Sequence, residues 1–179
     1  MKFSARYIAY VALLAAVSVV LNIFDIPLGP DLKLSATYIP DFFAGFFFGP
    51  AAGFFVGCIG DVLGCIIAPK GPWLPVLTLS SALMGLIPGL IRYIPLNEKV
   101  LLVLSFMATY FICSFCINNT LFWYLYSSTK KTLWVYMIGR IVFTLPDMLI
   151  CMIVSLVIMP YFKKAIPNLQ SFQRKKEAA

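Results

Sequence analysis

The chain has 179 residues, 61% hydrophobic and 12% charged, with 14 Lys and Arg against 7 Asp and Glu and no histidine. A soluble domain is nearer half apolar and a quarter charged, so too little polar surface remains to coat a water-soluble globule. Without histidine there is no His-based triad, His-Glu-x-x-His zinc site or histidine proton relay, and no Gly-x4-Gly-Lys-Ser/Thr loop is present to hold ATP.

Continuous apolar runs predict an all-α integral membrane protein, a six-transmembrane-helix bundle with spans at about 4–24, 36–49, 51–68, 75–94, 99–126 and 133–162; a barrel wall would alternate. The first run follows Lys2 and Arg6. It is too long for a signal peptide, and no short Ala-x-Ala site closes it before Asp25, so it reads as the first span. The second and third helices are short and meet at Gly49-Pro50, a strong turn signal. At about 1.5 Å per residue the second covers only about 20 Å. It must be buried among neighbours, thin the bilayer, or begin with an extended, protein-covered segment around Lys33-Leu34-Ser35.

With both termini cytoplasmic, the inner segments hold nine cations: Lys2, Arg6, Arg92, Lys99, Lys163, Lys164, Arg174, Lys175 and Lys176. The outer segments hold four, Lys33, Lys70, Lys130 and Lys131. That excess favours both ends inside the cell, with 163–179 as a basic cytoplasmic tail that is solvated or touches anionic lipid. The net charge of +7 is dispersed around the ends of apolar segments. It makes no basic face for nucleic acid. The whole of 1–179 reads as a single transmembrane domain of the cell membrane.

Asp41, Asp61, Arg140 and Asp147 lie inside predicted spans, where charge is expensive and faces a cavity or another charge. Asp61 and Arg140 each sit about 11 Å from the outer end of their helices. They are expected to share a level, pairing when the site is empty and turning to a ligand when it is full. Asp147 follows Arg140 by two turns, beside Pro146, and suits a structural role and a ligand role equally. Asp41 follows Pro40 near a helix N-terminus, which favours a structural carboxylate.

Cys58, Cys65, Cys113, Cys116 and Cys151 all fall within spans and are expected as small apolar residues. The Cys113-x-x-Cys116 spacing lacks a second pair, so neither a metal site nor a disulfide is expected. Two outer loops, Asp25–Ser35 and Pro69–Pro75, are stiffened by proline. Lys33, Lys70 and Trp73 on them suit an anionic ligand with an aromatic part; Trp73 suits an interfacial anchor equally well. Ala5, Ala9, Ala12 and Ala16 form a smooth stripe on the first helix, fit for close helix approach and expected, from the residues alone, to meet a neighbour within the chain. Gly45, Gly49, Gly53, Gly57, Gly60 and Gly64 predict tight packing of the second and third helices.

Several stretches carry a family resemblance: Ala12-Leu-Leu-Ala-Ala16, Leu32-Lys-Leu-Ser-Ala36 running to Ile39-Pro40, Phe48-Gly-Pro-Ala-Ala-Gly53, and Gly57-x3-Asp61-x-Leu63-Gly64. They resemble the substrate-binding S components of energy-coupling-factor vitamin transporters, most of all the folate-specific branch. Pro69-Lys-Gly-Pro-Trp-Leu-Pro75 leading to Thr78-Leu-Ser-Ser-Ala82 resembles that branch's third loop and fourth-helix start. The likeness covers most of residues 5–95.

The resemblance implies a folate-binding subunit that associates with a transmembrane coupling protein and two ATPase subunits. It would hold no cofactor of its own and perform no catalysis; ATP would bind only in the partners. With the charges buried in the spans, it gives an expected substrate set of Asp61, Arg140, Lys33, Ser35, Lys70, Trp73 and Thr78, Arg140 entering on its buried charge alone; the resemblance implies a coupling-protein contact at Ala12 and Ala16. Where many folate-type members carry Arg-Ile-Ser, this chain has Lys33-Leu34-Ser35, which keeps the charge and loses a planar bidentate fork. The alternatives are an S component for another vitamin or a queuosine-type precursor, and a membrane-embedded enzyme or assembly subunit.

Overall fold

A computed structural model of the chain describes residues 5–27, 33–69, 73–126 and 133–166. Most of the basic tail, 167–179, lies outside them. Helix α1 (Ala5–Ile23) leads to a two-stranded antiparallel ribbon, β1 (Ile26–Pro27) and β2 (Lys33–Leu34), with Ile26 opposite Leu34 and Pro27 opposite Lys33. Helix α2 (Tyr38–Phe43) continues as a π-helical stretch, Ala44–Phe48. Gly49, at φ 109°, turns the chain into α3 (Pro50–Ile67), and α4 is Pro75–Ile91. Proline opens both α3 and α4, where its missing N–H costs nothing.

Helix α5 (Glu98–Thr109), a π-helical stretch Tyr110–Asn118 and α6 (Asn119–Tyr126) follow without a break, and α7 is Leu133–Ala165. The described helices thus run as six continuous rods. The stretches Ala5–Ile23, Pro50–Ile67, Glu98–Leu125 and Thr144–Ala165 are each long and apolar enough to cross a membrane.

Apolar spacing predicts plain α-helices over 36–49 and 99–126; both contain π-helix instead. In the fifth rod the change comes where the Thr109 hydroxyl donates to the Ser105 carbonyl at 2.7 Å, a back-bond that bends helices. In the second, phenylalanines stack along the rod, Phe42 on Phe46 at 5.2 Å and Phe43 on Phe47 at 5.7 Å. Neighbouring rods close that aromatic core, with Phe106 5.0 Å from Phe42 and Phe162 4.9 Å from Phe43.

This second rod has six α-helical and five π-helical residues, too few to cross a bilayer. Two of the three expected solutions are used together. Every residue from Pro40 to Phe48 is buried, and an extended, ribbon-paired segment precedes the helix. Its last carbonyls need donors where lipid has none to offer. Arg92 Nη1 donates to the carbonyls of Phe46 (3.2 Å) and Phe47 (3.1 Å), and the Tyr7 hydroxyl donates to that of Phe48 (3.0 Å).

Glycine sets the distance between rods. A Cβ on Gly45 or Gly53 would run into the Gly85 carbonyl, one on Gly57 into the Ser81 carbonyl, and one on Gly89 into the Pro50 backbone. Gly60 and Gly64 instead leave room for the side chains of Ser18 and Asn22 on α1. At the face carrying the chain ends, Lys163 pairs with Glu98, an exposed bridge worth little energetically.

Replacing Gly85 with leucine should therefore destabilise the protein by roughly 3 kcal/mol, since backbone cannot yield to an overpacked side chain. Gly139 has no atom within 4 Å of an added Cβ, so Gly139→Ala should be neutral or slightly stabilising. Thermal unfolding in detergent checks both, and equal shifts would refute the close α3–α4 contact.

Candidate functional site

The glycine contacts decide which polar residues meet. Helices α3 and α4 run antiparallel, Gly53 against Gly85 and Gly57 against Ser81. One further turn along α3 is Asp61, and one turn back along α4 is Thr78. There the Thr78 hydroxyl donates to Asp61 Oδ2 at 2.6 Å, and the Trp73 indole N–H donates to the same hydroxyl at 2.9 Å. Indole can only donate and a carboxylate can only accept, so the hydroxyl joins them in one sense only. Asp61 is half-buried and Trp73 is 53% exposed, at the face opposite the chain ends. Three of the expected site residues thus form one hydrogen-bonded chain.

Arg140 is held elsewhere. Its Nη1 donates to the Tyr136 hydroxyl at 3.2 Å, and its guanidinium carbon lies 4.7 Å from the Phe122 ring centroid and 5.7 Å from that of Tyr136. The expected Asp61–Arg140 pair does not form, because Thr78 takes the carboxylate and aromatic rings of α6 and α7 take the guanidinium. Arg140 also anchors a polar seam. Thr144 donates to the Arg140 carbonyl at 3.0 Å, which commits its only proton, so the Tyr110 hydroxyl must donate to Thr144 across 2.9 Å.

Ser35 lies just ahead of α2, its hydroxyl 2.7 Å from that of Thr37 and its carbonyl 3.6 Å from the Cys151 thiol. Lys33 lies on β2, its backbone opposite Pro27. Lys70 lies outside the described residues. Asp41, 2% exposed, accepts from the Ser18 hydroxyl at 2.8 Å, an interhelical role in keeping with a structural carboxylate. Asp147 is half-buried on α7, and all five cysteines are free. Ala5, Ala9, Ala12 and Ala16 are exposed on the outside of α1, while Leu14, Ala15, Ser18, Val19 and Asn22 pack inward. The stripe therefore meets no neighbour within the described residues.

Sequence reasoning passed over Ser18, Tyr110, Asn118, Tyr136 and Thr144, and counted Arg92 only as an inner cation. An available signal was the adjacent Asn118-Asn119 pair, the most polar step in an otherwise apolar run.

Six rods with greasy exteriors and polar seams between them define a multi-pass α-helical membrane protein. The sequence model of one family, the ECF-type riboflavin transporter S component, matches residues 2–164, and the chain belongs to that family. It is also similar to the folate transporter FolT of Clostridium novyi (strain NT), 34% identical over 91 residues, which cover 51% of either chain. The chain thus aligns with about half the length of the curated relatives it matches. Among solved structures it is similar to FolT bound with folic acid, with a TM-score of 0.72 and 25% identity, covering 86% of this chain and 92% of that one. It also shares its fold with the S component of a bacterial ECF transporter, at a TM-score of 0.71 and 20% identity, covering 90% of this chain and 97% of that one.

Thr78→Val keeps the shape and removes the shared hydroxyl, so Trp73 should lose a hydrogen bond worth about 1 kcal/mol and swing free more often. With Trp123 and Trp134 replaced by phenylalanine, acrylamide quenching of Trp73 should rise; unchanged quenching would mean the indole is held by other contacts.

Proposed function

We propose that this chain binds folate from outside the cell and presents it for ATP-driven uptake as the substrate-binding subunit of an ECF transporter. The observation that carries the reading is the Asp61–Thr78–Trp73 chain. A pterin offers an amino group and a ring N–H side by side, and one carboxylate accepts both in parallel. Trp73 supplies an aromatic face for the ring. The glutamate tail is anionic and lies outward near Lys33, Lys70 or Arg140, with Ser35 also in the substrate set. The likeness to FolT bound with folic acid supports the same ligand.

A second reading, riboflavin, has the family description in its favour. Chemistry at the site opposes it. The flavin imide presents one N–H between two carbonyls, so a carboxylate would face acceptors, and its ribityl tail carries no charge for three cations to neutralise.

In the folate reading both termini are cytoplasmic, 1–179 forms one transmembrane domain in the cell membrane, and the chain catalyses nothing itself. Ala12 and Ala16, exposed on α1, receive the transmembrane coupling protein, and two ATPase subunits complete the transporter.

Purified chain should bind one folate tightly without ATP, and riboflavin in excess should not displace it; the reverse preference would overturn the proposal. Asp61→Asn places a donor against a donor and should weaken folate binding about 100-fold. Retained affinity would remove Asp61 from the site. Ala12→Trp with Ala16→Trp should spare folate binding and abolish uptake in cells that supply the partners; undiminished uptake would place the coupling contact elsewhere.

A further inference from the structure

Asn118 ends the π-helical stretch of the fifth rod, and its Oδ1 is buried without a hydrogen-bond partner. An acceptor hidden from water and left unmet is costly, and no described residue satisfies it. The rod has two sides. Phe111, Cys116, Thr120 and Tyr124 are exposed, whereas Tyr110, Ser114, Asn118 and Phe122, at four-residue steps, are half-buried. Two of these half-buried residues touch α7 directly: Tyr110 bonds Thr144, and Phe122 lies beneath the Arg140 guanidinium. Asn118 is bracketed between them.

Asp61, Arg140 and Asn118 belong to three different rods, and Asn118 is one turn from Phe122, whose ring lies under the Arg140 guanidinium. A π-helical stretch is the kind of irregularity that proteins keep where a side chain must be re-aimed at a functional site.

We propose that Asn118 is a ligand-binding residue whose side-chain carbonyl accepts the amide N–H joining the aminobenzoyl ring of folate to its glutamate. This rests on the folate reading. With the pterin on Asp61 and the tail carboxylates at Arg140, the amide is the polar group between the two ends of the ligand. Its N–H must find an acceptor once water is expelled, and Asn118 carries an unmet one a turn from the Arg140–Phe122 contact. The assignment makes Asn118 selective for the amide bond itself, separately from the ring and the tail charge.

Pteroate tests it, since that molecule has the pterin and aminobenzoate but ends in a carboxylate with no amide N–H. In titrations of the purified full chain, Asn118→Ala and the similarly sized Asn118→Leu should each weaken folate binding about tenfold, one hydrogen bond's worth, and leave pteroate affinity unchanged. Retained pteroate binding also reports that the variants fold. Equal losses for both ligands, or undiminished folate affinity, would overturn the assignment. Asp61→Asn should weaken both ligands alike. A wild-type chain that binds neither would defeat the folate reading, and this assignment with it.

Discussion

Close contact between the backbones of α3 and α4 is the constraint from which the rest follows. Lipid gives helices no hydrophobic reason to associate, so van der Waals contact must do it, and contact is greatest where no side chain intervenes. Glycines at four-residue steps on α3 meet Gly85 and the Ser81 carbonyl on α4. Such a register permits no sliding, because a shift of one residue would drive side chains into backbone. With the register locked, Asp61 must arrive opposite Thr78. The site is therefore a consequence of packing two turns away.

The same scarcity of donors in lipid governs the second rod. Its short length and wide final turn leave carbonyls that no water can reach, and Arg92 and Tyr7 supply the protons. One cation from α4 and one hydroxyl from α1 thereby tie three rods together at the face carrying the chain ends. At its other end the rod is held by Asp41 and Ser18. Gly60 lets α1 come near enough for that bond, since its missing side chain is the space Ser18 occupies. Small residues and buried polar ones are thus two halves of a single packing solution.

Sequence reading finds the parts that depend on composition and local spacing. Apolar runs mark the rods, Gly49-Pro50 marks the tight turn, and Asp61, Thr78 and Trp73 stand out by charge, loop chemistry and resemblance. It misses what depends on rotation between distant rods. Equal depths in two helices suggest that Asp61 and Arg140 pair, but depth says nothing about azimuth, and Phe122 and Tyr136 claim the guanidinium first. Neither π-helical stretch is legible, because a widened turn leaves composition unchanged while altering which residues share a face. The Asn118-Asn119 pair is visible in the sequence, but which of the two carries an unmet acceptor shows only in the structure.

In the folate reading proposed above, the Asp61–Thr78–Trp73 chain joins recognition to closure. A carboxylate inside a membrane span costs several kcal/mol unless something repays it, so Asp61 needs an occupant or water. Thr78 binds only Oδ2, which fixes the carboxylate plane and leaves Oδ1 without a protein partner among the described residues. Thr78 in turn holds Trp73, which ends a proline-stiffened loop. Protein hydrogen bonds alone therefore tie carboxylate, hydroxyl and indole into one geometry, which lowers the ordering cost of positioning them. A ligand that takes up Oδ1 and fits beneath the indole satisfies the half-buried carboxylate and is covered in the same step. One with acceptors at that edge does neither, because it meets the carboxylate with like polarity. Discrimination between aromatic ligands of similar size then follows from the order of donors along one ring edge.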